Sequence, residues 1–334
     1  MRRRDFNAGL LLTSASGALA QEGAKQHRIA IVTPAGSAAD ISDTGNDPIR
    51  RREYQAFFEE LRRLGDVEGQ NLIVERYSGD GRPEDFADLA RKVVGRNLDL
   101  IVAHSNPVAQ ALRAVTNTIP IVWIGADAIG SGIATSLARP AGNITGVNLY
   151  DTEIWGKRLQ ILKEAVPTAS KVAFLCPRTS WESTFGQQLR ELSPRLEISL
   201  IGMLLQQSTP SEYQRVLTEI AQHRPDAIIV HDVGDLIPYR QLIVELVEKS
   251  RLPAMYGYRE YVEAGGLMAY EGDLGEAGRR MADDVHEILN GAKPGDIPIY
   301  QATRFDLVIN LKAAKALGLV IPPLLLGLAD EVIE

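Results

Sequence analysis

Arg28-Ile-Ala-Ile-Val-Thr-Pro34 returns as Lys171-Val-Ala-Phe-Leu-Cys-Pro177, and that recurrence decides the fold. Two further segments repeat in the same order. Asp99-Leu-Ile-Val-Ala-His-Ser105 is matched by Asp226-Ala-Ile-Ile-Val-His-Asp232, and Ile119-Pro-Ile-Val-Trp-Ile-Gly125 more loosely by Leu252-Pro-Ala-Met-Tyr-Gly-Tyr258. Each copy is a short apolar run stopped by Pro, Gly or a polar residue, the pattern of a buried parallel strand covered by helices on both faces. Strand and helix patterns alternate between the copies, which implies right-handed crossovers and a parallel sheet in each half. Two α/β lobes of like design turn their strand C-termini towards one another. Open α/β sheets bind ligands at those ends, so a cleft between lobes is the expected site.

The first half places strands at 28–33, 71–77, 98–103, 120–125 and 143–150, with helices at 49–64, 83–96 and 108–115. The second places strands at 171–176, 197–205, 226–231, 253–256 and 266–270, with helices at 152–165, 183–192, 211–223 and 235–250. Beyond them come an amphipathic helix at 274–290, capped by Gly291, then a strand at 305–310 and a closing helix from Leu311. A third piece after two complete lobes means that the chain crosses between lobes more than once, giving a hinge of several strands. The expected division is 27–149 plus about 272–300 for one lobe, and 150–271 plus about 301–334 for the other. The loop 34–48, rich in Gly, Ser, Asp and Asn, is long for a strand-to-helix connection and points to function.

Bulk composition fits this plan. A chain of 334 residues suggests two domains, and 45% hydrophobic residues supply a core for each. The net charge of −7, without a basic stripe, argues against nucleic acid or an anionic membrane surface as partner. Arg50-Arg51-Arg52 and Arg62-Arg63 fall in a Glu-rich helical pattern and are expected on a solvated face. The single cysteine, Cys176, excludes an intrachain disulfide and reads as a buried small hydrophobe at a strand end. No later segment has the apolar length of a membrane span.

At the N-terminus, Arg2-Arg3-Arg4-Asp5-Phe6 precedes a mildly apolar stretch ending in Ala18-Leu19-Ala20. A basic start, a short apolar core and a small-residue cleavage site describe a secretory signal, here of twin-arginine type, removed after about Ala20. The alternative is a disordered basic tail. No cysteine follows for a lipid anchor, so a soluble periplasmic protein is expected.

The motifs of common α/β enzymes are missing. Gly130-Ser131-Gly132 lacks the third glycine of a dinucleotide loop, and neither a phosphate-binding Gly-x4-Gly-Lys motif nor a Gly-x-Ser-x-Gly elbow occurs. Polar residues at strand ends remain: His104-Ser105-Asn106 and Asp127 in the first half, His231-Asp232 and Tyr258-Arg259 in the second. Hydroxyl, amide and carboxylate groups there suit the two ends of a small zwitterion, with Trp123, Tyr256 and Tyr258 as apolar walls. The competing reading is that Ser105, Asn106 and Asp127 only cap loops and helix starts. His104 and His231 with Asp127 or Asp232 form a weaker metal candidate, since the chain has only five histidines and no close pair. A hydrolase built on His231, Asp232 and Asp235 is weaker still. No cofactor is implied.

Several stretches resemble the periplasmic solute-binding proteins of ABC transporters, in the branch with tryptophan- and phenylalanine-binding receptors. They are the Arg2–Phe6 start, Thr118-Ile-Pro-Ile-Val122 with Asp127, and Ser136-Leu-Ala-Arg-Pro-Ala-Gly-Asn-Ile-Thr-Gly146. Arg251-Leu-Pro-Ala-Met-Tyr-Gly257, Gly265-Gly-Leu-Met268, Phe305-Asp-Leu-Val-Ile-Asn-Leu-Lys-Ala-Ala-Lys-Ala-Leu-Gly318 and Ala329-Asp-Glu-Val-Ile-Glu334 extend the likeness over nearly the whole mature chain. The resemblance implies two Rossmann-like parallel-sheet lobes, a hinge and an interlobe cleft, the type I periplasmic binding protein fold. It implies a non-catalytic, monomeric receptor that closes on a small, amino-acid-like and possibly aromatic solute, then docks on an inner-membrane ABC permease. By it, Thr33, Ser105, Asn106 and Asp127 are ligand positions of the first lobe, and Thr179, Asp232, Tyr256 and Tyr258 their counterparts. Asp127 is then expected to take an ammonium, and Ser105 and Asn106 a carboxylate. Two departures lie near the cleft: His104-Ser105-Asn106 stands where small residues are usual, and Ala269-Tyr-Glu-Gly-Asp273 replaces a Ser-Tyr-Gly run. A sensing module for a signalling system and a periplasmic enzyme using His104, His231 and Asp232 remain the rival readings.

Overall fold

The computed structural model describes residues 26–150 and 152–334, so the expected signal segment lies outside the described residues. The first sheet contains β1 (His27–Thr33), β2 (Leu72–Ser78), β3 (Leu100–His104), β4 (Ile121–Ala126) and β5 (Ile144–Tyr150). The second contains β6 (Lys171–Pro177), β7 (Ser199–Leu205), β8 (Ala227–Val230), β9 (Ala254–Tyr256) and β10 (Met268–Gly272). The chain then returns with β11 (Tyr300–Gln301) to the first sheet, and with β12 (Phe305–Asn310) and β13 (Glu331–Ile333) to the second.

Strand order shows that the sequence repeat is a structural one. The first sheet runs β11-β5-β4-β3-β1-β2 and the second β13-β12-β10-β9-β8-β6-β7, so five strands recur in the same spatial order. All pairings in the first sheet are parallel. The second departs from an all-parallel sheet, because β12 lies antiparallel to β10. The reason is the route: β12 enters from the hinge, where Phe305 pairs with Gly272 at the C-terminal end of β10, and not through a crossover helix.

Helices cover both sheets. In the first lobe they are α1 (Pro48–Leu64), α2 (Phe86–Val94) and α3 (Asn106–Val115). The second lobe carries α4 (Thr152–Ala165), α5 (Arg178–Glu182), α6 (Thr184–Leu192), α7 (Pro210–His223), α8 (Arg240–Lys249) and α9 (Arg259–Glu263). Then follow α10 (Leu274–Leu289), which packs on α1 and the first sheet, and α11 (Leu311–Ala316) and α12 (Pro323–Leu328) in the second lobe. Asp47 caps α1 by accepting from the Ile49 and Arg50 N–H groups, Pro48 suits its first turn, and Gly65 at φ 95° closes it. Where α1 crosses α10, Gly278 lets the backbones approach: a Cβ there would lie 2.3 Å from the Glu53 carbonyl oxygen.

Three chain crossings lie side by side at the hinge. They follow β5, β10 and β11, and Asp273 N–H donates to Arg304 O at 3.3 Å while Ala302 N–H donates to Asn148 O at 3.0 Å. Gly146 in β5 holds the first sheet together just above this point. Its φ is 139°, and a Cβ would stand 1.8 Å from the Trp123 carbonyl oxygen. Gly146→Ala is therefore expected to cost about 3–5 kcal/mol in urea unfolding, through strain and clash together. A loss below about 0.5 kcal/mol would contradict this account of β5.

Candidate functional site

The lobes meet across their strand C-termini, and α1 makes the meeting. Arg52 Nε donates to Glu260 Oε1 of α9 at 2.7 Å, and its Nη2 donates to Glu271 Oε2 of β10 at 3.0 Å. Arg240 of α8 stands 3.5 Å from Asp47, the cap of α1. The loop after β1 touches the loop after β8: Pro34 packs on the Gly234 backbone, where a Cβ would come 3.4 Å from its ring. The cleft is closed.

Inside it, α1 presents two opposite charges one turn apart. Arg50 and Glu53 are each only 8% exposed. This corrects the expectation of a solvated face for Arg50-Arg51-Arg52, of which Arg51 alone is exposed and Arg52 bridges the lobes, whereas Arg62 and Arg63 are exposed as expected. Helical periodicity explains it, since Ile49, Arg50, Glu53, Tyr54, Phe57 and Leu61 share the buried stripe of α1. The Arg50 guanidinium forms no hydrogen bond or ion pair among the described residues; it lies against Gly36 and acts at longer range on Glu53, His104 and Asp235. Burial raises the Glu53 carboxyl to about 8, against the pull of Arg50 and then Arg52.

Among the described residues, two buried side-chain oxygens in this region lack a hydrogen-bond partner: Glu53 Oε1 and Ser105 Oγ. Buried polar atoms are nearly always paired, so orphans at the meeting of the lobes are candidate positions for a ligand's polar groups. Ser105 also holds φ at 79°, a conformation that favours glycine, in the turn between β3 and α3. Beside it, His104 accepts from or donates to the Tyr54 hydroxyl through Nε2 at 3.1 Å, with Nδ1 3.5 Å from Glu53 Oε1. Burial, then Arg50, lowers His104 to about 3, which keeps the ring neutral.

The second lobe brings a completed ion pair. Arg158 of α4 is fully buried; its Nη1 donates to Asp232 Oδ2 at 2.7 Å and its Nε to Tyr270 O at 2.8 Å. The guanidinium carbon lies 4.4 Å from the Trp155 ring centre and 5.2 Å from that of Tyr150. Burial alone would raise Asp232, but the Arg158 guanidinium beside it outweighs burial and holds the carboxyl down to about 2. The Tyr258 hydroxyl donates to Asp232 O at 3.1 Å and lies beside the Tyr150 hydroxyl.

The other expected site residues fall in distinct places. Thr33 is buried and donates to Ala35 O at 3.3 Å, shaping the loop after β1. The Asn106 amide clasps Ala126, donating to its O at 2.6 Å and accepting from its N–H at 3.3 Å. Asp127, at φ 48°, accepts from the Gly130 N–H at 2.9 Å and so closes its own turn. Thr179 is exposed on α5. Tyr256 is stacked on Tyr261 at 5.0 Å within the second lobe, and Trp123 is packed with Val32 and Phe86 in the first. His231 lies among Trp155, Phe174 and Phe185, its Nδ1 accepting from the Val233 N–H. Among the described residues, no group of three or more His, Cys, Asp and Glu side chains is placed to hold a metal ion. Cys176 is buried, and burial pushes its thiol up to about 12.

Sequence reasoning missed Arg50, Glu53, Tyr150 and Arg158. The readable signal was a pair of opposite charges set inside the apolar stripe of a helix.

Comparison with known proteins agrees with this architecture. A family model described as ABC transporter substrate binding protein matches residues 41–333. A tyrosine-binding protein of Clostridioides difficile is 23% identical over 281 residues, 84% of this chain and 80% of that protein. The crystal structure of a conserved domain protein from Vibrio cholerae superposes with a TM-score of 0.81 at 25% identity, covering 92% of this chain and all of that one. An ABC domain from Streptococcus pneumoniae in complex with L-Trp superposes at 0.80 with 22% identity, over 92% of this chain and 100% of that one.

The buried pair of the second lobe generates a stability prediction. Arg158→Met strands the Asp232 carboxylate and is expected to cost about 3–5 kcal/mol in denaturant unfolding. Arg158→Met/Asp232→Leu, which removes both charges, should recover most of that loss. A double variant no better than the single one would show that the pair is not what the site loses.

Proposed function

The chain belongs to the family of ABC transporter substrate-binding proteins, and on that premise we propose that it captures a free amino acid between its lobes. The observation that carries this reading is the Arg50–Glu53 arrangement: a guanidinium and a carboxyl group one turn apart, buried at the lobe interface, with Glu53 Oε1 unpartnered among the described residues. A zwitterion completes both, its carboxylate on Arg50 and Ser105 Oγ and its ammonium on Glu53. Asn106 and Asp127 then act through the loops they hold, Tyr258 and Tyr150 line the opposite side, and Thr33 and Asp232 fix the loops that meet at Pro34 and Gly234. Thr179 and Tyr256 support the second lobe. An aromatic side chain on the ligand fits the tyrosine-rich lining and the relatives named for tyrosine and tryptophan.

The rest follows from this role. The protein is exported to the periplasm, its lobes close about the three-strand hinge, and the closed form delivers solute to an inner-membrane permease of an importer. The ligand holds the closed form because it binds that form better than the open one. No catalytic step is assigned.

Differential scanning fluorimetry followed by calorimetry tests the reading on a panel of L-tyrosine, L-tryptophan, L-phenylalanine, their deaminated acids and common sugars. Amino acids should raise the melting temperature by mass action, and Arg50→Ala should weaken them about ten- to a hundredfold. Stabilisation by sugars alone, or by the deaminated acids as strongly as by the amino acids, would overturn it.

A further inference from the structure

We propose that the ligand's ammonium and a proton compete for the Glu53 carboxyl, so that each capture event expels a proton from the closed cleft into solvent. This rests on the zwitterion reading above and adds a regulation to it. Groups from both lobes surround Glu53. From its own helix come Arg50, Arg52 and Tyr54; from the end of β3, His104; from the second lobe, the Tyr258 hydroxyl; and α10 offers only the Gly278 backbone. None of these neutralises the carboxylate. Arg52 is committed to Glu260 and Glu271, and Arg50 makes no ion pair among the described residues. His104 is neutral, with Nε2 engaged by Tyr54.

A carboxylate enclosed without a counter-charge keeps its proton, and here burial raises the group to about 8. A ligand ammonium supplies the missing charge. The carboxylic acid then ionises, the proton leaves to bulk water, and a carboxylate–ammonium pair remains. Charge and protons balance with no other reactant. The sign is fixed: the empty closed form binds one more proton than the loaded form, so affinity rises with pH and levels off above about 8. The empty protein rests closed at neutral pH with Glu53 protonated, the form that tolerates burial, and opens to admit the ligand, so the proton is counted from that closed form.

Calorimetric titration with L-tyrosine at pH 7, repeated in buffers of different ionisation enthalpy, counts the protons. The expected release approaches about one per ligand, with affinity rising close to tenfold between about pH 6 and pH 7. Glu53→Gln should abolish the release and flatten the pH profile, whereas Glu59→Gln, exposed on the same helix, should change neither. The wild-type count decides the matter even if Glu53→Gln does not fold. L-tyrosine binding with no proton released, or release that survives in folded Glu53→Gln, overturns the proposal alone. If no amino acid of the panel binds, the zwitterion reading falls and takes this proposal with it.

Discussion

Glu271 is the constraint on which the closed arrangement turns. Its carboxylate is fully buried in β10 of the second lobe, and a buried charge must be met by opposite charge. Arg259 supplies part of that charge locally, through its Nε at 3.2 Å and its backbone N–H at 3.1 Å. The rest comes from Arg52, on a helix of the other lobe. The second lobe therefore completes its own electrostatics only when α1 is docked against it. Arg259 also reaches Glu331 in β13, so the same network ties the C-terminal strand into the lobe.

Because α1 carries Arg50 and Glu53 on the same turns as Arg52, docking of the lobes and burial of Arg50 and Glu53 are one event. The helix is fixed to the first lobe by α10 across the Gly278 contact and capped by Asp47, which itself faces Arg240. The two lobes share a strand order but contribute unlike chemistry. The first offers Arg50 and Glu53, which have no charged partner within ion-pair reach among the described residues, and the second offers an ion pair already complete in Arg158 and Asp232, backed by aromatic rings. Buried groups left open are thus concentrated on one lobe, and a completed buried pair stands on the other.

The repeat of three apolar strands made the fold legible. The long elements lie where periodicity set them, because core burial imposes a strong signal on strands such as β1 and β6. What escaped were short pieces whose placement is tertiary: α5, α9 and the two-residue β11, together with the antiparallel entry of β12. The site was only half legible. Ser105, Asp232 and Tyr258 stood at strand ends, where ligand positions are expected in this kind of fold. Arg50 and Glu53 did not, because a charged run in a helix is read as solvated until a second lobe is laid over it. Arg158 was hidden for a like reason, its partner lying far along the chain in Asp232.

Cys176 gives the molecule a practical property. It is the chain's single sulfhydryl, it is buried at the end of β6, and the environment that pushes its ionisation up to about 12 leaves almost no thiolate at neutral pH. Thiol-directed probes are therefore blind to the native protein. Cysteines introduced on exposed turns of each lobe, Arg51 on α1 and Thr179 on α5 among them, would react against a silent background. The rulers of fluorescence transfer and spin-label spectroscopy could then follow the hinge without first stripping the chain of its own sulfur.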